Sequence, residues 1–201
     1  MGVSVGVSVH VWLAPAGADP RTTAHNLLLA LASTLTDDPA LTHDETGRPQ
    51  IPGLAVSLTH THHQVAVAAA PEGPVGLDLE ELGPREFRPL ADRWFSQQEL
   101  RWLDQQPDVR RAFLQLWTAK EAVGKALGLG LRRAGLRRPM PLGGGVVASA
   151  PELLVTYVPW PDAVLALAAP TGLTEIVVRH ETALRSVVRS RTSLPVVVRG
   201  S

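Results

Sequence analysis

The sequence predicts an α+β protein, a two-layer α/β arrangement built as two similar halves. Three observations point there. Strand-like alternation of valines opens the chain, at Val3, Val5, Val7, Val9 and Val11. Helical spacing occupies one block from about Glu86 to Leu127. Two apolar strands, "VAVAAAP" (65–71) and "VLALAAP" (164–170), echo each other 99 residues apart. Each follows a candidate hairpin and precedes a glycine and another strand. Read as a duplication, the echo gives two related halves packed face to face. The segments that follow the two copies differ, "GLDLE" against "TEIVV", so one surviving acidic set gives one site at the interface.

In chain order, the first strand ends near "APAGADP". "RTTAHNLLLALASTL" has helical spacing, with Thr22 or Thr23 as its cap. "TDDPALTHDETGRPQIPG" is punctuated by Pro and Gly and reads as a loop. "LAVSLTHTHHQVAVAAAP" alternates as a hairpin, and "VGLDLEEL" is a short strand. Two helices follow, one over "FRPLADRWFSQQELRWLDQQ" and one from Val109 through Ala126. "GLGLRRAGLRRPMPLGGG" is loop. "LLVTYVPWPDAVLALAAP" is a hairpin turning at Pro159 to Asp162, and "TEIVVRH" a further strand. The closing "ALRSVVRSRTSLPVVVRGS" reads as either an extra strand or a tail. This divides the chain into an N-terminal half (1–72), a C-terminal half (73–184) and a basic extension (185–201).

With 201 residues, 45% of them hydrophobic, the chain can bury a substantial core. Its net charge is zero but unevenly spread. Residues 1–100 hold 5 Lys+Arg against 12 Asp+Glu, and residues 101–201 hold 14 against 7. That asymmetry suits a surface meeting an acidic partner. Zero cysteines exclude disulfides, thiolate metal sites and thiol nucleophiles, and fit a reducing compartment. The apolar opening has no basic leader and alternates as a strand, and no run approaches a membrane span. These features predict a soluble cytoplasmic protein that binds neither membrane nor nucleic acid.

The chemistry concentrates in two segments. In "VGLDLE", Asp78 and Glu80 are two apart and share one face of a strand, a pattern that holds a hard divalent cation such as magnesium or simply faces solvent. In "LWTAKEAVGKALGLG" stand the only two lysines of a chain with 17 arginines, Lys120 and Lys125. Trp117, Glu121 and Lys125 are spaced four apart along one helical stripe, with Trp117 anchoring it in the core. An arginine would serve a surface ion pair equally well. A compact, mobile ammonium suits phosphate oxygens, and Lys125 beside Glu121 has that form. Gly124, costly inside a helix, points to a close approach to the backbone.

"VGLDLE", then "WFSQQE", then "LWTAKEAVGKALGLGL" resembles the 4'-phosphopantetheinyl transferase superfamily, in its larger, surfactin-type branch. The elements "GRP" (47–49) and "SLTHT" (57–61) are similar to upstream elements of that family, so the resemblance runs from about Thr46 to Pro170. It implies two α/β halves about a pseudo-twofold axis, with coenzyme A in the cleft as co-substrate and magnesium on its pyrophosphate. Asp78, Glu80 and Glu121 match the metal-coordinating acids, and Lys125 matches the lysine on the phosphates. Arg48, Thr59 and His60 match contacts to the nucleotide end, with Lys120 grouped among the coenzyme-binding residues. Glu99 matches a further acid near the site and joins Glu121 and Lys125 as a catalytic candidate. Where the family carries several N-terminal basic residues for the 3'-phosphate, this chain offers Arg21. The extension after Arg185 has no counterpart role.

The implied reaction moves the phosphopantetheine arm of coenzyme A to a serine of an apo carrier protein of fatty-acid, polyketide or peptide synthesis, releasing 3',5'-ADP. Glu121 takes the serine proton and Lys125 stabilises the departing oxygen. Arg132, Arg133, Arg137 and Arg138 are candidates to steer an acidic carrier, or serve solubility alone. The pseudo-duplicated form implies a monomer. Two other readings remain at this point. "HTHH" (60–63) places His60 and His62 on one strand face, as in a zinc hydrolase, but without a helical HExxH pattern. A non-catalytic module binding coenzyme A or a carrier is the third, opposed by intact Asp78, Glu80, Glu121 and Lys125.

Overall fold

The computed structural model describes residues 6–84, 86–129 and 135–182, and the backbone of 185–193. Within β1 (Val7–Pro15), Val9, Val11 and Leu13 face one way and Trp12 and Ala14 the other, and both sets are buried. A strand covered on both faces is an inner strand, and β1 is central in its sheet. Val3 and Val5 lie outside the described residues. Helix α1 (Pro20–Ala32) starts not at Thr22 or Thr23 but at Asp19. The Asp19 carboxylate accepts from the Arg21 and Thr22 amides, and Pro20 supplies a preset first-turn φ.

The segment read as plain loop contains a two-residue ladder, β2 (Thr42–His43) with β3 (Pro49–Gln50). Asp44 builds its turn, accepting from the amides of Thr46 and Arg48 and from the Thr46 hydroxyl, while Gly47 takes a φ of 83°. The predicted hairpin follows as β4 (Ala55–His60) and β5 (Gln64–Ala70), then β6 (Gly76–Glu81).

Where one helix was predicted over 87–106 there are two, α2 (Arg88–Trp94) and α3 (Gln97–Leu103). Ser96 caps the second in a reciprocal box: its hydroxyl accepts from the Glu99 amide, and Glu99 accepts from the Ser96 amide. Helix α4 (Val109–Ala126) runs as predicted. The next loop holds a short 3-10 turn at Gly135–Arg137 and a small strand, β7 (Gly145–Val147). Strands β8 (Ala150–Val158) and β9 (Ala163–Pro170) form the predicted hairpin, with Asp162 at a φ of 54° in its turn.

Two sheets result, ordered β11-β10-β1-β5-β4 and β6-β9-β8-β7. Strand β10 (Leu173–Thr182) crosses back from the second half to pair parallel with β1, so a division at 73–184 cuts through the first sheet. The free edge of β1 accounts for this, because Ile176 and Val178 complete the core between the sheets. The first part of the extension becomes β11 (Arg185–Ser193), antiparallel to β10. Residues 194–201 lie outside the described residues.

The layers follow from three cores. Val9, Val11, Leu13, Ala66 and Ala68 of one sheet meet Leu77, Leu79, Leu165 and Leu167 of the other. Leu27, Leu28 and Leu31 of α1 pack on the outer face of the first sheet, against Trp12, Val65 and Val67. Phe113, Leu116, Ala119 and Val123 of α4 pack on the outer face of the second, against Val164, Ala166 and Ala168. The protein is thus a mixed α+β fold: helix, sheet, sheet, helices. Among the described residues no helix is long and apolar enough to cross a membrane.

Candidate active site

Leu77 and Leu79 turn toward the inter-sheet core, which by alternation sends Asp78 and Glu80 to the α4 side of β6. Helix α4 lies so near that Gly76 admits no Cβ; one would run into the Ala122 carbonyl and the Ala126 amide. The close approach seen is thus at Ala122 and Ala126, about half a turn around α4 from Gly124. It sets Glu121 and Lys125 over the carboxylates.

Lys125 Nζ donates to Asp78 Oδ1 at 2.8 Å, to the Leu77 carbonyl at 2.9 Å and to the Leu58 carbonyl at 3.4 Å. One ammonium thus spans the edges of β6 and β4. The Thr59 hydroxyl donates to Asp78 Oδ1 at 3.2 Å, and the Leu77 amide donates to the Ser57 hydroxyl at 2.9 Å. Asp78 is 7% exposed, and its second oxygen, Oδ2, is buried without a hydrogen-bond partner. Burial pushes its carboxyl above the usual carboxylate range, against the pull of Lys125. Glu121 is pushed up to about 7 by burial and by the Asp78 and Glu80 charges, with Lys125 opposing.

Two cavities flank this pair. One of about 370 Å³ is lined by Thr59, His60, Thr61, Asp78, Glu80 and Phe113. The other, about 260 Å³, is lined by Arg48, Ser57, Leu58, Lys125 and Gly128. Gly128, at a φ of 68°, leaves room for the Arg48 guanidinium, whose Nη1 would stand 2.8 Å from a Cβ there. Asp78, Glu80, Thr59 and His60 thus line the first cavity and Arg48 and Lys125 the second, while Glu121 lines neither. Arg21 sits exposed on the first turn of α1 and lines neither cavity.

Glu99 and Lys120 stand apart from the cavities. Both are fully buried, at 1% exposure each, and line neither cavity. Lys120 Nζ donates to Glu99 Oε1 at 2.7 Å and to the Arg138 carbonyl at 2.6 Å, and sits 5.1 Å from the centre of the Phe95 ring. Glu99 also accepts from the Met140 amide. With their hydrogen bonds taken up inside the fold, the two clamp α3, α4 and the loop at 138–140. In this arrangement they tie three segments of the fold together.

Arg137 lies over Trp94, which Arg93 also approaches, and Arg138 donates to the Ser149 hydroxyl. Arg132 and Arg133 lie outside the described residues. His62 and His63 are exposed turn residues with rings in edge contact. Among the described residues no three of His, Cys, Asp or Glu stand arranged to hold a metal ion, neither the histidines at 60–63 nor Asp78, Glu80 and Glu121 together.

Sequence reasoning missed Asp44, which shapes the Arg48 turn, and Glu81. The Glu81 carboxylate accepts from the Thr61 hydroxyl and the His63 amide, fixing the β4–β5 turn over the first cavity. "HDETG" carried an Asx-turn signal for Asp44. Glu81 carried none, since its partners are 18 and 20 residues away.

Residues 74–141, the segment holding β6, α4 and the Lys120–Glu99 clamp, match the 4'-phosphopantetheinyl transferase superfamily. Among similar proteins, 4'-phosphopantetheinyl transferase psf-1 of Bacillus pumilus is 39% identical over 90 residues, 42% of this chain and 38% of its own. 4'-Phosphopantetheinyl transferase AcpT of Salmonella typhi is 33% identical over 104 residues, 49% and 54% of the two chains. 4'-Phosphopantetheinyl transferase gsp of Aneurinibacillus migulanus is 30% identical over 91 residues, 44% and 38%. The chain thus spans about half the length of these relatives at most. Through residues 74–141, the segment that builds its site, the chain is similar to the 4'-phosphopantetheinyl transferase superfamily.

Proposed function

We propose that the protein transfers the 4'-phosphopantetheine arm of coenzyme A to a serine hydroxyl of an apo carrier protein, releasing 3',5'-ADP, as a surfactin-type member of its superfamily. The observation that carries the reading is the Lys125 ammonium bridging β4 and β6 beside a carboxylate, Glu121, held near neutrality. The names of its relatives support it, as do the two cavities, one walled by Asp78 and Glu80 and the other by Lys125.

Asp78, Glu80 and Glu121, which do not form a three-ligand set as they stand, would hold a divalent cation by turning toward it. The unpartnered Asp78 Oδ2 and the proton affinity raised at Glu121 by neighbouring carboxylates mark a donor set short of positive charge. When bound there, magnesium supplies charge neutralisation on the pyrophosphate.

This chain's own residues do the rest. A group titrating near 7 is half-ionised at neutral pH, so Glu121 can accept the serine proton as Oγ attacks the phosphorus bearing the pantetheine arm. The new bond is serine O–P; the bond that breaks joins that phosphorus to the bridging oxygen of 3',5'-ADP. Lys125 meets the charge growing on that departing oxygen. Arg48 and His60, on the cavity walls, hold the nucleotide end, with Thr59 orienting Asp78. Arg137 and Arg138, with Arg132 and Arg133, receive an acidic carrier.

The reading takes the two sheets as related halves about a pseudo-twofold axis, with the site between them. Support comes from element order: β1, α1, β4, β5 and β6, α4, β8, β9 build the same antiparallel ladders, first–last–third in each. The divisions at 1–72 and 73–184 stand for these halves, with β10 exchanged. A monomer, working in the cytoplasm, fits a chain that carries both halves and needs no disulfide. A non-catalytic binding module is not favoured.

Weighing an apo carrier after incubation with the protein, coenzyme A and magnesium tests this. The carrier should gain one phosphopantetheine, and the gain should vanish with chelator and in Glu121→Ala. Tight coenzyme A binding without any gain would return the reading to a binding module.

A further inference from the structure

Away from Asp78, two histidines from different elements meet. His25 lies half-buried on α1 and His43 exposed on β2. Their Nε2 atoms are 3.3 Å apart, with ring centroids 4.9 Å apart and planes tilted by 52°. One hydrogen bond between neutral rings would satisfy that distance, but at the surface it competes with water and contributes little. The same spacing has a second meaning. Two imidazole nitrogens on one tetrahedral ion, each 2.0–2.1 Å from it, stand about 3.3–3.4 Å apart. Both lone pairs can therefore turn to one cation with the rings already at the right separation.

We propose that His25 and His43 form a two-histidine site for a borderline divalent transition ion such as zinc, clipping α1 to the β2–β3 hairpin. Imidazole selects zinc, nickel or copper over magnesium, so this site does not compete for the ion proposed at Asp78. Among the described residues no third His, Cys, Asp or Glu completes the group. Solvent fills the remaining positions, and binding is weaker than at a closed four-ligand zinc site. Metal binding needs neutral rings. The strap has a consequence for the cavity it borders. His43 pairs with Pro49, the neighbour of Arg48, so occupancy stiffens the hairpin that presents Arg48.

Calorimetric titration with Zn²⁺ alone tests the site without reference to any transfer activity. The intact protein first carries His62→Ala and His63→Ala, which thins the one other histidine run. One equivalent should bind, and adding either His25→Ala or the milder His43→Gln should weaken it more than about tenfold. Circular dichroism confirms that each variant is folded. Amides of residues 42–50 should exchange more slowly with zinc present. Affinity unchanged in both added variants, or no zinc bound in the His62→Ala/His63→Ala background, overturns the proposal.

Discussion

Helix α4 carries both lysines of the chain, five residues apart, and puts them to opposite uses. Lys120 has no exposed side-chain surface and spends its charge on Glu99 and the Arg138 carbonyl, with a phenyl ring beside it. Lys125 is 29% exposed and shares its charge among Asp78 and two strand carbonyls on the wall of a cavity. Each pair is a lysine on a carboxylate near 2.8 Å. What differs is access: the first pair is sealed into the fold, while the second can exchange its partner for one arriving from solvent. Contact chemistry alone does not separate a structural ion pair from a functional one; the surroundings do.

The largest effect expected is on the sealed pair. Lys120→Met leaves the Glu99 carboxylate buried without its cation, and breaking such a pair costs about 3–5 kcal/mol. Urea unfolding should show this loss, and Lys120→Met/Glu99→Gln should recover part of it because no buried charge remains. A loss below about 1 kcal/mol would remove the distinction drawn between the two lysines.

Lys125→Met should invert the pattern. Turnover on an apo carrier should fall about 100-fold or more, the scale for losing one preorganised electrostatic contact. Stability should suffer less than in Lys120→Met, because Asp78 keeps Thr59 as a partner and burial already favours its protonation. Equal losses of stability in the two variants would mean that both lysines are structural.

Gly76→Ala acts on the geometry the two pairs share. An added methyl meets α4 backbone, which cannot rotate away as a side chain could. Overpacking of this kind costs about 1–3 kcal/mol. Since β6 and α4 must separate to admit it, transfer activity should fall together with the melting temperature. Activity kept at wild-type level would show that the apposition at Gly76 does not set the site.

The sequence made the open pair far more legible than the sealed one. Asp78, Glu80, Glu121 and Lys125 sit in short patterns whose spacing means one strand face and one helical stripe, which local geometry converts into proximity. Glu99 and Lys120 sit in the same patterns, so local reasoning swept them into the site; only burial separates them, and burial is set by the loop at 138–140 closing over them. The split of α2 from α3 was written in Ser96 and Glu99, a capping box hidden inside an otherwise continuous helical stripe. The return of β10 to β1 was not legible, because parallel pairing between distant segments leaves no local signature. Neither was the Glu81 contact to the β4–β5 turn, which depends on how the two sheets stack.

The smallest effect expected sharpens the open pair and comes from Glu121. Its folded carboxyl titrates at about 7 against an ordinary value of 4.5, so between those pH values the folded chain holds a proton that the unfolded chain has released. Stability from this group is therefore fully present below pH 4.5 and is lost as pH rises through 7. Above that, the ionised carboxylate faces Asp78 and Glu80 with only Lys125 to offset them. Glu121→Gln removes the titration. Without divalent ions it should melt higher than wild type at pH 8, by ~1 kcal/mol or roughly 2–4 °C, with the gap closing toward pH 4.5. Magnesium at pH 8 should raise wild type and leave the variant nearly unmoved, since a cation answers the same excess of negative charge that the amide has already relieved. A variant that melts alongside wild type at every pH would mean that Glu121 is well solvated and pairs with neither carboxylate.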